Sequence, residues 1–192
     1  MMRQQVKKRI LVTGFKPFKN IRINTSEVLV KELEKRVFPG FILETAVLPV
    51  SFKNAPEKLI RRVEVFKPDI LIMTGIALGI KNLELEKVAL NIYNKGKQKD
   101  LLISPDGPEA YFTNYPIVKI LKKLSNKGIP SAISYTAGQY VCNYLYYKAA
   151  HHIISSGCEI LFGFLHLPCL PEEVSLEFIK EKKKYVEKAY RI

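Results

Sequence analysis

Cysteine and histidine are scarce in this chain, three of each among 192 residues, so thiol chemistry would rest on very few atoms. The cysteines are Cys142, Cys158 and Cys169; the histidines are His151, His152 and His166. Cys142 stands where a strand gives way to a helix. Ser131 to Tyr135 is a short β-tolerant run, Gly138 breaks it, and the residues from Gln139 onward read as an aromatic-rich helix ending near Gly157. In a first helical turn the unpaired N–H groups and the helix dipole favour a thiolate over a thiol, and they can also hold an oxyanion. Position alone leaves a second reading open, in which Cys142 is a small buried hydrophobe among Tyr140, Tyr144 and Tyr147. Cys158 precedes an apolar strand and reads as structural, while Cys169, between Pro168 and Leu170, reads as packed or weakly exposed.

A catalytic cysteine needs a base and a group to orient that base. His151 and His152 fall on the Cys142 helix more than two turns from the thiol, too far for a hydrogen bond within that helix. His166 ends a strand immediately before a proline turn, where an α/β sheet presents side chains to a site, and it is the best base available.

The elements that must carry these residues alternate. Strands are expected at 8–13, 41–50, 70–74, at least once within 82–92, and at 131–135 and 159–165. Helices are expected from Thr25 or Ser26, either of which could cap, to Pro39–Gly40, then over 55–66, 117–125, 139–157 and within 171–189. Residues 93–114 read as the longest irregular stretch, covering a site or an interface. The pattern predicts one α/β domain over residues 1–192, a three-layer α/β/α arrangement with an open, twisted, mostly parallel (mixed) sheet.

A hydrophobic content of 47% excludes a mainly disordered chain. The N-terminal apolar run is too short for a signal peptide, and no uncharged apolar stretch reaches transmembrane length, so no membrane partner is expected. An odd cysteine count without a C-x-x-C pair or zinc spacing fits a reducing cytoplasm. The net charge of +13 raises nucleic acid as a partner, but the lysines are spread along the chain and no nucleic-acid-binding motif accompanies them, so solvated lysine-rich faces account for the charge.

Seven ordered blocks carry a resemblance over nearly the whole chain. They are Thr13-Gly14-Phe15-Lys16-Pro17-Phe18, Pro49-Val50, Lys67-Pro68-Asp69, Gly75-Ile76-Ala77-Leu78-Gly79, Leu85-Glu86-Lys87-Val88-Ala89-Leu90-Asn91, Ala137-Gly138-Gln139-Tyr140-Val141-Cys142-Asn143-Tyr144 and Phe164-Leu165-His166-Leu167-Pro168. In this order they resemble the pyroglutamyl peptidase I (pyrrolidone carboxyl peptidase) family. The resemblance implies a cysteine exopeptidase that removes N-terminal pyroglutamate from peptides without a metal or organic cofactor. It also implies a homotetramer. Carried over by position, Cys142 is the nucleophile, His166 the general base and Glu86 the acid that orients His166. Phe15 and Phe18 match the aromatic pair that sandwiches the lactam ring, Tyr140 a third wall, and Asn24 and the backbone around Ile76 positions near the lactam amide. Glu84 shares the strand and side-chain parity of Glu86 and is expected to be a solvent-exposed carboxylate.

The chain departs from the family pattern at Lys19-Asn20 and Thr25, and at Ile80 and Gly96, where many members carry arginine. The missing arginines motivate an alternative, a related thiol amidohydrolase for another blocked or cyclic N-terminus. A basic nucleic-acid-binding protein without activity is the alternative from another class.

Overall fold

The computed structural model describes residues 7–18 and 21–170. The expected C-terminal helix within 171–189, and Lys19-Asn20, lie outside the described residues. Along the chain run β1 (Lys8–Phe15), α1 (Thr25–Glu34), β2 (Phe41–Leu48), α2 (Asn54–Phe66), β3 (Ile70–Ala77), β4 (Leu83–Glu86) and β5 (Val88–Leu90). There follow β6 (Ile92–Lys95), β7 (Gln98–Leu102), β8 (Ala110–Phe112), α3 (Ile117–Asn126), β9 (Ser131–Ser134), α4 (Val141–Ser155) and β10 (Leu161–Pro168).

Six strands form the main sheet in the order β2-β1-β3-β10-β4-β9. Every pairing is parallel except that of β4 with β10. The sheet is therefore open, mixed and mostly parallel. From β1 the chain crosses outward to β2 and then back past β1 to β3, and right-handed crossovers in opposite directions place α1 and α2 on opposite faces. α4 packs beside α2. Between this helix pair and the sheet lies the main core, where Leu59, Val63, Leu145, Tyr146 and Ile153 meet Leu11, Leu71, Met73 and Phe162, all at most 5% exposed. The central strands are apolar on both sides because helices cover both faces.

Three expectations are corrected. Residues 93–114 are not irregular: β6 pairs with β7, and β8 pairs with β5, as two small antiparallel sheets. α1 does begin at Thr25, but its cap is Asn24, whose Oδ1 accepts from Ser26 N at 3.0 Å and from Ser26 Oγ at 2.6 Å. Asn24 has the extended backbone of an N-cap, whereas Thr25 is already helical. β3 runs to Ala77 and β10 to Pro168, beyond the apolar runs that signalled them, because each supplies the other's ladder as far as Pro168 opposite Ala77.

Candidate active site

Two long strands bring the site together. β3 and β10 run in register so that His166 stands opposite Gly75. β4 enters antiparallel on the other side of β10, with Glu84 opposite His166 and Glu86 opposite Phe164. Glu84 and Glu86, two residues apart on one strand, share a face, and that face meets the His166 ring.

His166 Nδ1 lies 2.6 Å from Glu86 Oε1, with the two side chains 7% and 0% exposed. A carboxylate can only accept, so Nδ1–H donates and Nε2 is left for Cys142. Burial disfavours the charged ring, but hydrogen bonding to Cys142 and Glu86 and their negative charge outweigh it, and the His166 pKa is pushed up to about 10. The second carboxylate oxygen, Glu86 Oε2, is buried without a partner among the described residues.

Cys142 is the second residue of α4 and is partly buried. The first main-chain bond at this helix start runs from Tyr144 N to Tyr140 O, and no side chain caps the end. The earlier amides, that of Cys142 included, are therefore free of helix partners and aligned with the positive end of the dipole. Gly75 supplies the space for the thiol: a Cβ there would lie 2.9 Å from Cys142 Sγ and 3.0 Å from Phe164 Cζ. Asn143, fully buried, anchors the helix start. Its Oδ1 accepts from Leu90 N at 2.9 Å, and its Nδ2 donates to Leu90 O at 2.9 Å and Ile92 O at 2.8 Å.

Cys142 and His166 open onto a cavity of about 290 Å³ that Phe15, Phe18, Asn24, Ile76 and Tyr140 also line. Phe15 and Ile76 are 3% and 7% exposed, Phe18 is half-buried, and Tyr140 is exposed and makes an edge-to-face contact with Phe52. Asn24 is fully buried, and its polar atoms serve the α1 cap and, through Nδ2, Lys16 O at 3.2 Å. It thereby ties the Phe15–Phe18 loop to the helix. Glu84 also lines this cavity and is half-buried, which corrects the expectation of a solvent-exposed strand carboxylate. Its parity with Glu86 was visible in the sequence; its direction became visible only with the pairing of β4 to β10.

Gly75 and Asn143 are parts of the site to which the sequence assigned no task, although both stand inside the recognised blocks. Gln139 is a third. It lines the cavity, accepts from Asn94 Nδ2 at 2.7 Å, and its carbonyl accepts from Asn94 N at 2.8 Å. The β6–β7 hairpin thus braces the rim, and Gly96, at φ 61°, makes its turn. Neither Gly96 nor Ile80 lines the cavity. Thr25 Oγ1 donates to Pro168 O at 2.9 Å and so fastens the end of β10 just beyond His166.

Among the described residues, Glu84, Glu86 and His166 are the one group whose metal-ligand-type atoms come within 4.8 Å of one another. Glu86 Oε1 is already committed to the imidazole, and the group adjoins a thiol rather than forming a separate cage. Cys158 is exposed instead of packed, Cys169 is partly buried, and His151 Nδ1 is bonded to Tyr111 Oη at 2.8 Å. None of the three lines this cavity.

Comparison with known proteins agrees with the geometry. The family profile described as pyroglutamyl peptidase matches residues 8–184. A pyrrolidone-carboxylate peptidase of Pyrococcus furiosus is 40% identical over 173 residues, covering 86% of this chain and 83% of its relative. That of Bacillus subtilis is 37% identical over 175 residues, covering 88% and 81%. Among solved structures, the pyrrolidone carboxyl peptidase of the thermophile Fervidobacterium islandicum superposes with a TM-score of 0.83 at 34% identity, covering 95% of this chain and 97% of that one. The pyroglutamyl peptidase I of Bacillus amyloliquefaciens gives 0.82 at 31% identity, covering 93% and 92%. With the profile spanning most of the chain and relatives this similar along most of their own length, the chain belongs to the pyroglutamyl peptidase family.

Proposed function

We propose that this protein is a cysteine exopeptidase that removes N-terminal pyroglutamate from peptides, with Cys142 as nucleophile, His166 as general acid and base, and Glu86 as the group that orients His166. The observation that carries the reading is the buried 2.6 Å contact of Glu86 with His166 Nδ1, on a ring that shares its cavity with Cys142 at the start of α4. Glu86 fixes the tautomer, so Nε2 faces the thiol and takes its proton.

The Cys142 sulfur attacks the carbonyl that follows the lactam ring. The free amides at the start of α4 stabilise the oxyanion that forms, and His166 gives its Nε2 proton to the departing amine. A thioester remains on Cys142. Water, deprotonated by His166, then attacks it; the C–S bond breaks, and pyroglutamate and the thiol are released. Phe15 and Phe18 offer flat apolar faces to the lactam, with Tyr140 closing the rim and Ile76 the floor. Asn24 contacts the bound ring as part of the same wall and holds the Phe15–Phe18 loop against α1. No step requires a metal or an organic cofactor.

Residues 1–192 act as one catalytic domain, and the protein works in the cytoplasm as a homotetramer. The odd cysteine count without a C-x-x-C pair and the family resemblance support this. Light scattering on purified protein tests the assembly, where a monomer at micromolar concentration would refute the tetramer. For the activity, reduced protein should release p-nitroaniline from pyroglutamyl p-nitroanilide and leave prolyl and acetyl-alanyl p-nitroanilides intact. A folded protein that leaves the pyroglutamyl compound untouched, or that prefers another blocked amide, sinks the reading.

A further inference from the structure

The cavity has a charge that the whole protein does not share. The chain carries a net +13, which by itself would draw acidic peptides. Yet among the described residues that line the cavity, Glu84 is the one carboxylate, and no lysine or arginine lines it. No hydrogen bond or ion pair among the described residues engages the Glu84 side chain, and it is half-buried beside an apolar wall. An acidic group placed there without a protein partner is available to a ligand.

Its place relative to the reacting atoms says which part of the ligand. Glu84 stands opposite His166 across the β4–β10 ladder, and one of its carboxylate oxygens comes within 4.8 Å of a ring nitrogen of His166. An amine protonated by His166 must come within about 3 Å of that ring. The leaving nitrogen therefore lies within about 8 Å of the Glu84 carboxylate. The lactam is uncharged and common to every substrate, so a charge at this place cannot discriminate among substrates through it. The residue after it begins at that nitrogen, and its side chain is the first charged group a substrate can bring there.

Resting on the proposed pyroglutamyl peptidase activity, we propose that Glu84 sets specificity on the leaving side, favouring peptides whose residue after pyroglutamate is cationic, lysine or arginine, over those in which it is acidic. The preference opposes the overall charge of the protein because Glu84 is close and half-buried, whereas the surface lysines are screened by solvent and salt. A single charge at this range discriminates oppositely charged side chains by about tenfold in kcat/KM, the two signs contributing in opposite directions.

The test is a competition between pyroglutamyl-Lys-Ala-amide and pyroglutamyl-Glu-Ala-amide in one reaction, which reads the ratio of their kcat/KM values. The wild-type ratio should favour the lysine peptide about tenfold at low ionic strength and shrink as salt is raised to molar levels. E84Q should bring the ratio to unity or below, and E84D, which keeps the charge, should retain a preference for lysine. A wild-type ratio near one, a preference for the glutamate peptide, or an E84Q ratio equal to that of wild type overturns the assignment. If the Gln variant does not fold, the salt dependence in wild type decides, since a salt-independent ratio overturns it equally. Failure of wild type to cleave either peptide, or pyroglutamyl p-nitroanilide, would instead remove the activity itself and this inference with it.

Discussion

α4 has a cysteine, a histidine and a glutamate near each end, and only one end has the geometry of a catalyst. At its N-terminal end Cys142 and His166 face one cavity, with Glu86 behind the ring, histidine and glutamate being almost wholly buried and 2.6 Å apart. At its C-terminal end His152, Cys158 and Glu64 line another cavity, of about 470 Å³. There the contact from His152 Nε2 to Glu64 Oε1 is 3.8 Å, the two side chains are 26% and 59% exposed, and Cys158 lies on the surface with its sulfur against Ser156 Oγ. Water competes for each of these groups and screens their charges. The dipole is reversed as well: free amides stand beside Cys142, whereas carbonyls close the helix beside Cys158 and repel an anion. Residue type does not make such a site. Burial, a short hydrogen bond and the polarity of the helix end do.

The comparison can be broken most directly at the thiols. C142A should lower kcat/KM on a pyroglutamyl amide by about 10⁴-fold or more, while C158A should stay within about twofold of wild type. Steady-state kinetics on both would refute the contrast if the C158A protein, folded, were the inactive one.

The histidines come next. H166A should lose about 10³-fold and E86Q a comparable amount through loss of the correct tautomer, whereas H152A should remain within about twofold. Circular dichroism on the same samples separates lost chemistry from lost fold.

A smaller effect is expected from G75A, because its added methyl must displace either Cys142 Sγ or the Phe164 ring. A loss of about 10²-fold in kcat, together with about 1–3 kcal/mol of stability, would follow from a misplaced sulfur and an overpacked core. Unchanged kcat in G75A would show that the thiol does not depend on that clearance.

The finest contrast is in protonation. NMR of the His166 ring should report an imidazolium persisting to about pH 10 in wild type. In C142A the ring should lose its proton at lower pH, since a hydrogen bond and a negative charge that favour the cation are gone while the burial that disfavours it remains. An unshifted titration in C142A would mean that the two side chains are not coupled.

Much of this architecture was legible before any coordinates. Apolar runs bounded by Pro39-Gly40, Pro68 and Gly157 located strands and helices within a few residues, because periodicity and turn residues act locally. The stretch at 93–114 reads as irregular from its residues because Asn94, Lys95, Gly96 and Lys97 are loop-like. Their strands are held by a neighbour's ladder and by Gln139 rather than by their own apolar pattern.

The sequence by itself determined the alternation of strands and helices, a cysteine at a helix start and a histidine at a strand end, since these follow from neighbours along the chain. With its ordered blocks it also pointed to the family. Only the tertiary structure decided what surrounds those two residues. The antiparallel insertion of β4 between β10 and β9 turns Glu84 and Glu86 toward His166. The register of β3 with β10 sets the space of Gly75 where the sulfur needs it, and Asn143 holds the helix start against β5 and β6. Each depends on partners tens of residues away, and strand register is a property of the pair that no single segment encodes.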